Sequence, residues 1–395
     1  MAYKDEALQR LADKMAARGM DLEQVLTALA EQRVEVPSWG FADSGTRFQV
    51  FHHPGAARTA QEKLDDAAQV QRYTGICPSV ALHIPWDKTD DYEALKAYAG
   101  RLGLQLGAIN PNLFQEKEYR LGSLCHPSAE VRRQAVDHCL ECIDIARATG
   151  SKAISLWLAD GTNYPGQDIL MARKHRLEET LREIYAAMDP DMRLLVEYKF
   201  FEPAFYSTDI PDWGFSFLLC QKLGPQAQVL VDLGHHPLGT NIEQIVGTLL
   251  DEGKLGGFHF NAKKYADDDL MVGSTNPYEL FLIFNELIAA GQRAAQVAYM
   301  IDQSHNVEGK IGAMIVSVMN VQTAYAKALL IDRAALERAA EAGDVLGGNA
   351  VLDDAYQTDV RPLLVEVRRR LGVPADPLAA YRASGYEQKI AAERG

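Results

Sequence analysis

Three shortages limit what this chain can be. Cysteine is scarce, positive charge is outnumbered, and no long apolar run occurs. Five cysteines in 395 residues are few and odd in number, which excludes a disulfide-built fold and suits a reducing compartment with free thiols. Cys139 and Cys142 have ligand-like spacing, but they lie inside the amphipathic stretch 131–150 and no second such pair exists. Both are therefore expected to be buried and inert rather than zinc-bound. Lys and Arg number 40 against 54 Asp and Glu, for a net charge of −14. That balance argues against a nucleic-acid partner, whose binders carry basic surfaces. No apolar run reaches the roughly 18 residues that a membrane span needs. The opening MAYKDEALQRLADKM is charged and has neither the apolar core nor the small-residue cleavage site of a secretory signal, so a cytoplasmic protein is expected.

What is present is a regular alternation. A hydrophobic share of 47% can fill a large core. Short apolar runs read as strands at Val34–Pro37, Ser79–Ile84, Leu104–Ile109, Ala153–Leu158, Leu194–Tyr198, Val229–Leu233, Gly257–Phe260 and Ala298–Ile301, and a helical pattern follows each. Strands alternating with helices pair in parallel through crossovers, and eight such units close a barrel. The expected fold is α/β, a (β/α)8 TIM barrel over residues 34–331. A helical extension (1–33) precedes it and another (332–395), including a helical segment Asp354–Leu371, follows. The loop after the first strand, 40–58, is long and aromatic, which suits a lid or a contact with another chain.

Four consecutive strands end in metal-ligand residue types: Glu197, Asp232, His259 and Asp302. Each is about one βα unit from the next, and sites of this fold lie at the C-terminal strand ends. Carboxylates and imidazole together suit Mn, Mg, Co or Zn. His235 lies just past Asp232. Asp267 and Asp269 alternate in the following loop, so an extended segment would aim both one way. With Glu197 as a bridge, these three could hold a second cation. Lys199 shares a strand face with Glu197 and is a candidate to orient a substrate hydroxyl or stabilise developing charge. His83, at the end of the second strand, is a candidate proton handler or sugar-oxygen ligand. Trp39, Phe114 and Trp157 follow strands one, three and four, and would give flat walls for the C–H faces of a sugar.

Taken together, Glu197-Tyr198-Lys199, Asp232-Leu233-Gly234-His235-His236, His259-Phe260-Asn261, Asp267-Asp268-Asp269 and Asp302-Gln303-Ser304-His305-Asn306 resemble the L-rhamnose isomerase family. The likeness is strongest to its broad-specificity branch, which also interconverts D-allose and D-psicose. It extends to Pro37-Ser38-Trp39-Gly40 and Leu82-His83-Ile84-Pro85-Trp86-Asp87. The resemblance implies a homotetramer with two divalent cations per subunit, usually Mn²⁺. Glu197, Asp232, His259 and Asp302 would hold the structural cation, and Glu197, His235, Asp267 and Asp269 the catalytic one. It also implies that Phe48 reaches a neighbouring subunit's site. The expected reaction is aldose–ketose isomerisation by a hydride shift between C1 and C2, after His83 or Asp302 has helped to open the sugar ring. A single-cation ketose 3-epimerase would want Glu where Asp302 stands. A metal-dependent endonuclease is disfavoured by the charge, and a sugar-binding protein would not need two cation sites.

Overall fold

The computed structural model describes residues 2–46 and 49–395. Eight parallel strands close a barrel in chain order: β1 (Glu35–Pro37), β2 (Ser79–Ile84), β3 (Gln105–Pro111), β4 (Ala153–Leu156), β5 (Arg193–Glu197), β6 (Ala227–Asp232), β7 (Leu255–Phe260) and β8 (Ala298–Ile301). The outer helices are α1 (Ala60–Thr74), α2 (Tyr92–Arg101), α3 (Ala129–Thr149), α4 (Leu170–Ala186), α5 (Trp213–Leu223), α6 (Ile242–Asp251), α7 (Pro277–Ala290) and α8 (Lys310–Leu329). The expected barrel is the observed one.

Local chemistry sets the helix ends. Asn241 accepts from Gln244 N at 2.8 Å to start α6, and Asn276 accepts from Glu279 N at 3.3 Å just ahead of Pro277 in α7. Gly75 closes α1 at φ 76°, a conformation that costs a side-chain-bearing residue dearly. Ser128 stands at the cap position of α3, as its sequence suggests, but its side chain caps nothing; its N–H donates to His126 Nδ1 instead.

Strand alternation divides the apolar residues into two cores. Outward side chains such as Ile154, Leu194, Val229 and Phe258 join the helices in the main core. Inward ones, Ala81, Ala108, Leu195, Leu230 and Met300, plug the lumen. Beneath the plug, Glu35 accepts from Ser79 Oγ and from Ala108 N. This leaves only the C-terminal end of the barrel open to form a site.

One expectation needs revision. The segment Asp354–Leu371 is not one helix: Val345–Gln357 ends, Thr358 is extended, and Arg361–Leu371 begins with Pro362 in its first turn. That proline has no N–H to continue a helix and biases its predecessor away from helical geometry. The loop 40–58 contains an antiparallel hairpin, Ser44–Thr46 paired with Gln49–Phe51. Phe48 lies outside the described residues. The N- and C-terminal extensions pack together: Leu26 and Leu29 meet Leu363, Leu364 and Val367 against the end of α8 in a second core. Among the described residues no single helix is long and apolar enough to cross a membrane.

Candidate metal centre and sugar cavity

The C-terminal ends of β5 to β8 converge. Glu197, Asp232, His259 and Asp302 each offer a ligand atom, and the four atoms lie within 4.8 Å of one another. The Glu197 carboxylate faces two ways, with Oε1 3.1 Å from His235 Nδ1 and Oε2 3.3 Å from His259 Nδ1. His259 Nδ1 is also 3.4 Å from Asp302 Oδ2 and 3.9 Å from Asp232 Oδ2.

A second group shares an edge with the first. Asp232, His235 and Asp267 also bring ligand atoms within 4.8 Å of one another. The turn after β6 explains why Asp232 joins both groups: His235 N donates back to Asp232 O at 3.3 Å, and Gly234 N donates to Asp232 Oδ1 at 2.6 Å. A Cβ on Gly234 would stand 3.1 Å from Asp232 Oδ1 and 3.2 Å from Asp267 Oδ1, so glycine keeps this space open. His235 Nδ1 lies 3.0 Å from Tyr198 O, which suits donation to the carbonyl and leaves Nε2 facing Asp267 Oδ1 at 3.2 Å.

Asp269 also lines the cavity, but by a different route from the one its spacing suggests. The segment from Lys264 bends, and Asp269 takes a left-handed φ of 49°. Asp267 and Asp269 therefore do not alternate along a strand. Asp268 makes the turn by accepting from Lys264 N at 2.6 Å and Tyr265 N at 2.7 Å.

The donor set suits a divalent cation. Burial raises the Asp232, Asp269 and Asp302 carboxyls, and the neighbouring carboxylates raise them further. Burial also opposes charge on His259, yet Glu197 and the flanking aspartates hold it protonated, at about 9. Negative charge is thus in excess at the centre of the cluster, which a cation would offset. Among the described residues, His259 Nδ1, Asp267 Oδ1 and Asn261 Oδ1 are buried without a well-directed hydrogen bond, the first two despite the close ionic contacts above. Asn261 uses its amide to hold both Asp232 oxygens, at 2.9 and 3.1 Å. Cys125, Asp160 and Asp209 form a third grouping of ligand atoms, but Arg173 already pairs with Asp209 at 2.6 Å. The five cysteines are free and buried, Cys139 and Cys142 among them.

The two groups form one side of a cavity of about 210 Å³. Trp39, His83, Phe114 and Trp157 form the other. His83 stacks on Trp86 at 3.9 Å and meets Trp39 and Phe114 edge-on. Burial in this aromatic box, aided by the charge of Lys63, lowers its imidazole to about 3. Burial therefore favours the neutral imidazole of His83, which can make hydrogen bonds. Behind it, buried Asp87 accepts from His83 N at 2.8 Å and pairs with Lys63 at 2.5 Å, which fixes the turn.

A family model for the xylose isomerase-like TIM barrel matches residues 73–281. The chain belongs to that family. A probable sugar isomerase of Rhizobium meliloti is 47% identical over 100% of this chain and 94% of its own length. The L-rhamnose isomerase of Salmonella typhimurium is 24% identical over 99% of each. The solved D-psicose 3-epimerase of Clostridium cellulolyticum shares the fold, with a TM-score of 0.52 at 13% identity, covering 77% of this chain and 99% of that one.

Within this xylose isomerase-like barrel, two candidates make contacts that their sequence does not show. Lys199 is not in the cavity wall; its ammonium pairs with Glu202 at 2.5 Å and Asp267 at 2.7 Å, and lies 5.1 Å from the centre of the Trp157 ring. Trp39 is more than a flat wall, because its indole N–H donates to Asp302 Oδ1 at 2.8 Å. Sequence reading passed over Asn110, Pro111 and Ser155, and gave no role to Trp86 and Ser304, though all five line the cavity. Strand alternation carried the signal for Ser155, two residues beyond Ala153 on the inward face of β4.

Proposed function

We propose that the protein is a metal-dependent aldose–ketose isomerase of the L-rhamnose isomerase type, acting also on D-allose and D-psicose. The observation that carries this reading is the pair of ligand groups sharing Asp232 along one wall of a sugar-sized cavity. Glu197, Asp232, His259 and Asp302 would hold one divalent cation, and His235 and Asp267, with Glu197 and Asp269 beside them, a second. Mn²⁺ is the first choice, and Co²⁺, Mg²⁺ and Zn²⁺ share its liking for these ligands. Bound there, the cations would supply Lewis-acid polarisation of substrate oxygens.

The rest falls to the chain's own groups. Trp39 orients Asp302 through its indole N–H, and Lys199 holds Asp267 through its ion pair. Neutral His83 is suited to hydrogen-bond a sugar oxygen, while Trp39, Phe114 and Trp157 exclude water from the reacting carbons. Ring opening is assigned to Asp302 or His83, which face each other across Trp39: its indole N–H donates to Asp302 and its ring meets His83 edge-on. A ketose 3-epimerase fits less well, because the last strand ends in Asp302 rather than a glutamate. Names among relatives support the isomerase: the Rhizobium meliloti and Salmonella typhimurium proteins carry it.

The deciding experiment incubates metal-replete protein with L-rhamnose and with D-psicose. L-rhamnulose and D-allose are the expected products; the C3 epimer of D-psicose alone would point to the epimerase. A tetramer belongs to the same proposal. Tyr164, Tyr206, Leu238, Tyr265 and Val307 are all more than half exposed on the loops after β4 to β8, an apolar rim that suits contact with another copy. Sedimentation showing a fully active monomer would remove this part.

A further inference from the structure

The inward face of β4 carries a hydroxyl that none of the described residues engages. Ile154 and Leu156 enter the outer core. Ala153 packs against the lumen plug, and Ser155, two positions on, faces the same way. Ser155 is only 2% exposed. It lines the cavity, and its Oγ has no hydrogen-bond partner among the described residues. A buried hydroxyl left unpaired is unfavourable. The barrel uses alanine at neighbouring inward positions, Ala81, Ala108 and Ala153, so a serine at this one is not a packing requirement.

The surroundings say what would pair with it. Trp157 Nε1 and His83 Nδ1 are likewise buried without partners, and both residues line the cavity with Ser155. Phe114 stands between them, its ring 4.9 Å from Trp157 and 5.7 Å from His83. Asn110 on the same wall differs, because its Nδ2 is engaged by Leu82 O at 3.1 Å and Ala108 O at 3.4 Å. The wall therefore combines a fixed amide, a flat apolar surface and three unsatisfied polar atoms. Ser155 Oγ can rotate to donate or accept, as recognition of a sugar hydroxyl requires.

We propose that Ser155 is a specificity-determining residue whose Oγ hydrogen-bonds one hydroxyl of the sugar chain remote from the reacting carbons, with the Trp157 indole N–H as the neighbouring donor. This rests on the isomerase reading only in setting the reacting carbons against β5 to β8. Recognition of the hydroxyl itself needs no turnover. A site built around such a hydroxyl rejects analogues that lack it far better than an apolar wall could.

The test compares wild type with Ser155→Ala, both metal-loaded, by calorimetry. The probes are D-allose and its 3-, 4-, 5- and 6-deoxy congeners, each brought to isomer equilibrium beforehand. Ser155→Ala should bind D-allose about tenfold more weakly, about 1.4 kcal/mol. It should match wild type on the one congener that lacks the hydroxyl being read, and its melting temperature should not fall. An equal loss across the whole series, or no loss on any member, overturns the proposal. If wild type isomerises D-allose while Ser155→Ala shows no loss selective for one hydroxyl, Ser155 is ruled out and the isomerase stands. If no aldose–ketose conversion occurs but the selective loss persists, the isomerase reading falls and the role of Ser155 stands. Binding of none of these sugars by wild type overturns both.

Discussion

The two halves of the barrel mouth are built on opposite principles. From β5 to β8 the strand ends present carboxylates and imidazoles, packed so closely that burial and mutual repulsion push several aspartates up. From β1 to β4 they present Trp39, His83, Phe114, Ser155 and Trp157, and burial holds the one titratable member neutral. One half is incomplete without positive charge and the other excludes charge. A polarised carbonyl and a hydrogen transfer between carbons need these two environments side by side. The halves meet where the Trp39 indole donates to Asp302 and where the Lys199 ammonium lies over the Trp157 ring.

The comparison can be broken most severely on the charged side. Exhaustive chelation should lower isomerase activity by at least about 1,000-fold, with recovery on adding Mn²⁺ or Co²⁺. Full activity in protein shown metal-free by elemental analysis would end the cation reading. Next comes a stability difference. Asp232 belongs to both ligand groups and His235 to one. Asp232→Asn should therefore forfeit most of the metal-linked stabilisation, about 2.7 kcal/mol at a hundredfold excess over Kd, and His235→Ala clearly less. Equal melting temperatures for the two variants in metal-containing buffer would mean that the groups are drawn wrongly.

The seam between the halves should respond more mildly. Trp39→Phe keeps the ring and deletes the donor to Asp302. Metal affinity or turnover should fall by about 10- to 100-fold, as for other groups that orient a metal ligand. A variant with unchanged metal titration and kcat would reduce Trp39 to a wall.

The smallest effect lies wholly on the aromatic side. His83 titrates at about 3 in the fold against an ordinary 6.5. Between those values the unfolded chain takes up a proton that the folded chain refuses. The stability from burying neutral His83 is thus complete above about 6.5 and is lost as pH falls toward 3, by at most about 1.4 kcal/mol per pH unit. His236 and His305 are depressed in the same direction, to about 3 and about 4, and share the slope. His83→Asn should flatten the fall in unfolding free energy between pH 6.5 and 4.5, read by urea titration. An unchanged slope would show that His83 is already charged in the fold.

The sequence by itself determined the barrel and the charged half of its mouth. Strand and helix periods of 2 and 3.6 are local properties, and a ligand at the end of each of four successive strands needs only chain order to bring it to one rim. Tertiary structure alone decided how those ligands divide. Asp232 enters both groups because a turn at Gly234 folds His235 back beside it, and Asp269 arrives through a left-handed bend rather than a strand. It also decided the aromatic half. The neutrality of His83 comes from Trp39, Trp86 and Phe114, which stand on separate stretches of chain. Lys199 shares a strand face with Glu197, yet Glu202 and Asp267 draw it out of the cavity wall. A serine or a tryptophan in a strand reads the same whether its polar atom is satisfied or not. Whether Ser155 Oγ finds a partner depends on what the neighbouring strands place within hydrogen-bonding distance, and that is set only when the barrel closes.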